Sequence, residues 1–238
     1  MAAINNLKVK IFADGANKAD ILDLYAKPYI KGFTTNPTLM RKAGITDYRA
    51  FARDILRHVP DRPFSFEVFS DEFDEMEAQA REIATWGSHV YVKVPVTNTR
   101  GESACPLVRR LTQAGVKLNV TALMTLPQVR QVAKALAGGA PAYISVFAGR
   151  VADTGRDPTH LMSLAVKMLR DYPNIELIWA SPRELLDIFH ADAIRCHIIT
   201  VTHDLLKKLD LVGKDLDEFS LDTVKMFRRD AVAAGFRL

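Results

Sequence analysis

The 238-residue chain is 48% hydrophobic and 25% charged, a composition that excludes a disordered or fibrous protein and supplies one large core. Its length suits a single α/β barrel domain spanning residues 1–238, for which about 250 residues is typical, and no linker, tandem repeat or low-complexity tract divides it. The formal charge of +4 is spread over basic pairs such as Arg109/Arg110, Lys207/Lys208 and Arg228/Arg229 with no interleaved aromatics, which argues against a nucleic-acid partner and leaves an anionic small molecule.

Strand-like runs recur at residues 8–13, 29–34, 64–69, 89–94, 117–120, 142–147, 175–180 and 195–199. The first runs into Asp14, and the second into Thr34, Thr35, Asn36 and Pro37. A helical spacing of Ala50, Ile55 and Leu56 follows. The third run contains Glu67 and leads to a second helical pattern in Met76, Ala80, Ile83 and Ala84. The fourth, VYVKVPV, carries Lys93 at its centre. The fifth passes through Asn119 to Thr121, after which Thr125 reads as an N-cap, Pro127 as a first-turn proline and Gly138-Gly139 as a stop. The sixth supplies Ser145, Phe147 and Arg150, the seventh ends at Ser181 and Arg183, and an amphipathic helix over about 216–236 closes the chain.

Strands alternating with helices imply a parallel sheet, and eight βα units close into a (β/α)8 TIM barrel. The competing doubly wound sheet would carry a GxGxxG or GxxxxGK[ST] turn, and none is present. A barrel of this kind places its active-site groups at the C-terminal ends of strands. Polar residues from seven of the predicted strands meet that demand. Each has a plain alternative: Asp14-Gly15 and Asn36-Pro37 form turns, Thr121 caps a helix, and Arg150 is a solvated loop cation.

Lys93 is the residue that most needs a reason. Its neighbours are those of a fully buried strand, and apolar surroundings disfavour an ammonium ion. An uncharged amine in such a place attacks carbonyl groups to form a Schiff base. The alternative is a lysine that snorkels to water over its hydrocarbon stem.

Seven segments together resemble the transaldolase family, in particular its short microbial members related to fructose-6-phosphate aldolases. They are IFADGANKADI (11–21), GFTTNPTLM (32–40), SFEVFSD (65–71), VYVKVPVT (90–97), KLNVTALMT (117–125), YISVFAGRVAD (143–153) and WASPRE (179–184). The resemblance implies a metal-independent, cofactor-free class I mechanism with Lys93 as the Schiff-base lysine. It implies Asp14 as the acid/base for the departing hydroxyl, and Glu67 with Thr121 as the pair that manages water. Asn36, Asn119 and Ser145, with Thr34 and Phe147 beside them, are implied as substrate-binding residues. Arg150, Ser181 and Arg183 are implied as the phosphate site. Glu67 and Phe147, where the aldolases tend to carry Gln and Tyr, favour transfer of a dihydroxyacetone unit over its release.

Two departures stand out. Pro182 occupies a position where the motif usually has an aromatic or aliphatic residue, and the segment TNTRGESACP after the lysine is long, with Arg100 either contacting a second anion or simply solvated. The expected partners are sugar phosphates. The remaining alternatives are an aldolase that releases dihydroxyacetone and a non-catalytic sugar-phosphate-binding barrel. Cys105 and Cys196 have neither CxxC spacing nor a His cluster, which argues against zinc or a disulfide framework. MAAINNLKVK has no apolar signal core, so a cytoplasmic, membrane-free protein is expected, and the resemblance implies a place in the pentose phosphate route. A homo-oligomer is left open, with the C-terminal helix packing either on a neighbour or on its own barrel.

Overall fold

The computed structural model describes residues 6–237, so the reading of the first five residues as free of a signal core lies outside the described residues. Eight parallel strands close on themselves in chain order: β1 (Lys10–Asp14), β2 (Ile30–Thr34), β3 (Phe64–Glu67), β4 (Val90–Pro95), β5 (Leu118–Leu123), β6 (Ala142–Val146), β7 (Ile175–Trp179) and β8 (Ile198–Thr202). The helices are α1 (Lys18–Tyr25), α2 (Pro37–Lys42), α3 (Tyr48–His58), α4 (Phe73–Ala84), α5 (Cys105–Gln113), α6 (Leu126–Leu136), α7 (Ala148–Ala152), α8 (Thr159–Leu169), α9 (Leu186–Ala193), α10 (His203–Leu206) and α11 (Leu216–Ala233). A 3-10 turn, Lys207–Leu211, joins the last two.

The period-two alternation of a strand sorts its residues to the two faces of the barrel wall. Outward residues such as Phe64, Phe66, Val92, Val94, Leu118 and Val120 meet the apolar stripes of the helices in the outer core. α4 buries Met76, Ala80 and Ile83 as its spacing predicts, whereas α3 buries Phe51, Ala52 and Ile55 and leaves Ala50 exposed. Inward residues Phe12, Tyr91, Tyr143, Ile178 and Ile198 fill the middle of the barrel. Tyr91 and Tyr143 stack at 4.0 Å between centroids, with Phe12 edge-on to Tyr143 at 5.8 Å. Gly32 makes room for this plug, because a Cβ there would lie 2.6 Å from the Phe12 ring.

Two residues further along each of these strands come Asp14, Lys93, Ser145, Ala180 and Thr200, which line the C-terminal mouth. The same alternation that builds the plug therefore aims the polar set upward.

Six strands lie within two residues of the predicted bounds, and two, β5 and β8, differ by three. β8 starts at Ile198, because Arg195 takes a left-handed conformation (φ 60°) that belongs to the turn after α9. β5 runs on to Leu123 through a bulge: Val120 pairs with Ile144 and Leu123 with Val146, so β5 carries one extra residue, and Ala122 has a φ of 66°. Thr121 is thus a strand residue beside that bulge and not a helix cap. Thr125 does cap α6, in a reciprocal capping box with Gln128.

No residue of α11 is buried, and Leu216, Phe219, Leu221, Val224 and Phe227 are exposed along it. Among the described residues, no helix is long and apolar enough to cross a membrane.

Candidate active site

A cavity of about 450 Å³ opens at the C-terminal ends of the strands. It is lined by Asp14, Thr34, Asn36, Glu67, Lys93, Asn119, Thr121, Ser145, Phe147, Arg150 and Ser181, together with Thr200. Every site residue that the family resemblance implies, except Arg183, is in this set.

Lys93 sits at its floor and is 6% exposed, so its amine does not reach open water by snorkelling. Nζ donates to the Thr35 carbonyl at 2.8 Å and lies 3.0 Å from Glu67 Oε2. The Glu67 contact follows from the β3–β4 register, which sets Glu67 directly beside Lys93. The amine therefore has one carbonyl and one carboxylate as partners, and still faces the cavity.

Asp14 ends β1, three strands from Lys93 around the mouth. Thr34 Oγ1 donates to its Oδ1 at 2.7 Å. Having spent its only proton there, the Thr34 hydroxyl must accept from Thr200 Oγ1, 2.5 Å away. Protein surrounds Asp14 except where it meets the cavity. Burial raises its carboxyl above the ordinary range, offset in part by the Lys93 cation and the Thr34 hydrogen bond, while the Glu67 charge adds to the rise.

A second chain of hydrogen bonds crosses the floor. Ser145 Oγ donates to Asn119 Oδ1 at 2.7 Å, and Asn119 Nδ2 donates to Ser65 Oγ at 3.1 Å. This fixes the orientation of the Asn119 amide. Asn36 caps α2, its Oδ1 accepting from Leu39 N–H at 3.0 Å, which turns the amide NH2 toward the site. The Thr121 hydroxyl is buried with no hydrogen-bond partner among the described residues, an atom that fits a transient water or substrate hydroxyl.

At the rim, Arg150 lies over the Phe147 ring, 5.7 Å from its centroid, and has no carboxylate partner among the described residues. Ser181 adopts a left-handed conformation (φ 62°), and its carbonyl approaches α7 so closely that a Cβ on Gly149 would lie 1.6 Å from it. Only glycine permits that approach, which brings the Ser181 turn against the helix carrying Arg150.

The description Transaldolase/Fructose-6-phosphate aldolase matches residues 11–238 of the chain. A protein named probable transaldolase from Thermoanaerobacter sp. is 32% identical over 231 residues, covering 97% of this chain and 100% of the relative. Probable transaldolase 2 of Listeria monocytogenes is 35% identical over 218 residues, covering 90% and 95%. A probable transaldolase of Dehalococcoides mccartyi is 33% identical over 202 residues, covering 84% and 90%. The chain belongs to the transaldolase/fructose-6-phosphate aldolase family. Among solved structures, a crystal structure of 2,3-dimethylmalate lyase superposes with a TM-score of 0.55 at 12% identity, covering 99% of this chain and 87% of that one. At that identity the likeness shows the barrel fold alone.

Within this family member, two arginines have acidic partners that the sequence alone did not supply. Arg183 does not line the cavity. Its guanidinium is held by Asp153, with Nε to Oδ1 at 2.8 Å and a second contact from Nη2 to Oδ2, and Nη1 reaches Ser181 Oγ at 3.2 Å. The Asp153 partnership and the Ser181-Pro182 turn set it at the rim. Arg100 is occupied by Glu72, Glu102 and Asp71, so the long segment after β4 is tied down by its own acidic neighbours.

Three polar contributors escaped the sequence reading. Thr200 was lost because the predicted eighth strand stopped at residue 199, although the alternation Ile198, Thr200, Thr202 carries the signal. Ser65 lies two residues before Glu67 and so shares its inward face. Tyr48, which contacts the backbone of Glu67, had no local signal at all.

Proposed function

We propose that this protein is a transaldolase, transferring a dihydroxyacetone unit from a ketose phosphate such as fructose 6-phosphate or sedoheptulose 7-phosphate to an aldehyde phosphate. The observation that carries the reading is the buried Lys93 amine, 3.0 Å from Glu67, in one cavity with the raised carboxyl of Asp14. Two carboxylates in different surroundings suit two proton transfers.

In this scheme Glu67 takes the proton of the Lys93 amine, and Nζ attacks C2 of the ketose. The carbinolamine loses its hydroxyl as water, with Glu67 and Thr121 handling the proton and the water, and an iminium forms. Asp14 then removes the proton from the C4 hydroxyl. The C3–C4 bond breaks, its electron pair passes into the iminium to leave an enamine, and the aldehyde departs. An acceptor aldehyde enters, C3 of the enamine attacks it, Asp14 returns the proton to the new hydroxyl, and water releases the product. Asn36, Asn119 and Ser145 hold the hydroxyls of the three-carbon unit in one pose, with Thr34 orienting Asp14. Arg150 and Ser181 receive the phosphate, and Arg183 reinforces that site through Ser181.

The phosphate assignment is tested by comparing phosphorylated with non-phosphorylated donors. Arg150→Ala should weaken phosphorylated substrates by about 1.5–3 kcal/mol, the worth of a hydrogen bond to a charged group. Arg183→Ala should have a smaller effect, because Asp153 already engages its guanidinium. Equal losses for both kinds of donor would remove the phosphate from this rim.

Reaction choice rests on Phe147 and Glu67. An apolar ring at 147 offers no hydroxyl to orient a proton-donating water beside the enamine, so the intermediate waits for an aldehyde. Phe147→Tyr adds that group at nearly constant volume and should raise dihydroxyacetone release relative to transfer. The test is product analysis with and without an aldehyde phosphate acceptor. A native enzyme that releases dihydroxyacetone as fast as it transfers it is an aldolase instead.

A further inference from the structure

β2 and β3 pair over a short stretch, Phe33 beside Phe64 and Thr34 beside Ser65, and Thr35 N–H extends the ladder to Ser65 C=O at 3.2 Å. A parallel ladder in this register would next send Glu67 N–H to Thr35 C=O, and then the N–H of residue 37 to Glu67 C=O. Neither bond is present. The Thr35 carbonyl accepts Lys93 Nζ at 2.8 Å instead. Residue 37 is proline and has no N–H to give. Both backbone groups of Glu67 would thus be left without partners at the end of β3.

One side chain takes both places. The hydroxyl of Tyr48, at the first turn of α3, accepts from Glu67 N–H at 2.8 Å and donates to Glu67 C=O at 3.0 Å. Its ring is fixed by Phe66, Phe69 and Trp86, with centroids 6.2, 5.8 and 5.8 Å away. Burial also holds the phenol far above its ordinary range, so the oxygen stays a donor as well as an acceptor.

We propose that Tyr48 is a positioning residue for the Lys93–Glu67 pair: by occupying the ladder places on Glu67, its hydroxyl leaves the Thr35 carbonyl to the lysine amine and fixes the carboxylate beside it. Without that hydroxyl, the nearest partner for Glu67 N–H is the Thr35 carbonyl. Closing that bond makes Nζ share the acceptor with a backbone N–H and shifts Glu67 toward β2. Tyr48 touches neither substrate nor reacting atoms in this account, and its effect is felt only through its two neighbours. The inference rests on the reading of Lys93 as the Schiff-base lysine.

Tyr48→Phe removes the hydroxyl and keeps the ring among its aromatic neighbours. The expected result is a kcat for transfer lower by about 10- to 100-fold, the scale of a small misplacement of catalytic groups, with KM for fructose 6-phosphate within about threefold of native. The rate of forming the borohydride-trappable adduct should fall by the same factor. In a Glu67→Gln background, Tyr48→Phe should add much less than its own single effect. A lower melting temperature with unchanged kcat and trapping rate would reduce Tyr48 to a structural residue and overturn the inference. Should Tyr48→Phe not fold, Trp86→Phe carries the test. It loosens the Tyr48 ring while keeping the hydroxyl, and should lower kcat without changing KM, and an unchanged kcat would again overturn the inference. The two readings fail separately: no adduct on Lys93 in the native enzyme defeats the Schiff-base mechanism, whereas a normal adduct formed equally fast in the variants defeats only the role of Tyr48.

Discussion

Lys93→Met should reduce transfer activity to below about 10⁻⁴ of native, because no other lining group among the described residues supplies a nucleophilic amine and the covalent intermediate is lost altogether. Methionine suits the site. It is unbranched, of similar length and apolar, and the flanking Val92 and Val94 pack outward away from it. The variant leaves the Thr35 carbonyl and the Glu67 carboxylate without the ammonium donor. Glu67 borders the cavity, where water can solvate it, and the buried Thr35 carbonyl loses one donor, so the cost to stability should stay near about 1–3 kcal/mol and the barrel should remain folded. Circular dichroism and size-exclusion chromatography check the fold, and a coupled assay checks the rate. Substantial residual activity in a folded Lys93→Met protein would show that the chemistry does not pass through this amine.

Asp14→Asn should cost about 10²- to 10⁴-fold in kcat, the usual contribution of a positioned acid/base, while making the fold more stable at neutral pH. The two effects have one origin. Desolvation raises the Asp14 carboxyl in the folded state, so the fold favours its protonated form. Any stability gained from that preference is fully present below the unfolded carboxyl's range and is lost as pH rises through the raised folded value. At neutral pH the native enzyme therefore holds a carboxyl whose ionised form, favoured in the unfolded chain, is disfavoured by its surroundings. Asparagine stays neutral at every pH and still accepts the Thr34 hydrogen bond through its carbonyl oxygen. The melting temperature of Asp14→Asn should exceed that of the native protein at neutral pH, with the gap closing on acidification. A gap that is constant from neutral to acidic pH, or of the opposite sign, would contradict the burial argument for this carboxyl.

What could be read from the chain depended on how local the cause was. The eight alternating units are written in short-range patterns, and so the barrel was legible before any contact was known. Lys93 was legible for a related reason: a cation inside VYVKVPV conflicts with its neighbours, and such conflicts concentrate where function requires them. Asp14, Glu67, Asn119 and Ser145 followed from the barrel geometry, since each lies in or just after a predicted strand and shares the inward face. The features that stayed hidden are set by distant partners. Asp153 holds Arg183 across 30 positions of sequence, and Tyr48 reaches Glu67 across 19. The bulge at Ala122 reflects a mismatch between β5 and β6 that neither strand shows alone. The end of β8 was misplaced because Arg195, an ordinary residue in sequence, adopts a left-handed turn that delays the strand by three residues and brings Thr200 to the mouth.

Borohydride reduction in the presence of fructose 6-phosphate, followed by intact-mass measurement and peptide mapping, tests the central claim most directly. The account predicts one reduced three-carbon adduct per chain, carried on the peptide containing Lys93 and absent from Lys93→Met. An adduct on a different lysine, or no adduct with any ketose phosphate offered, would contradict it.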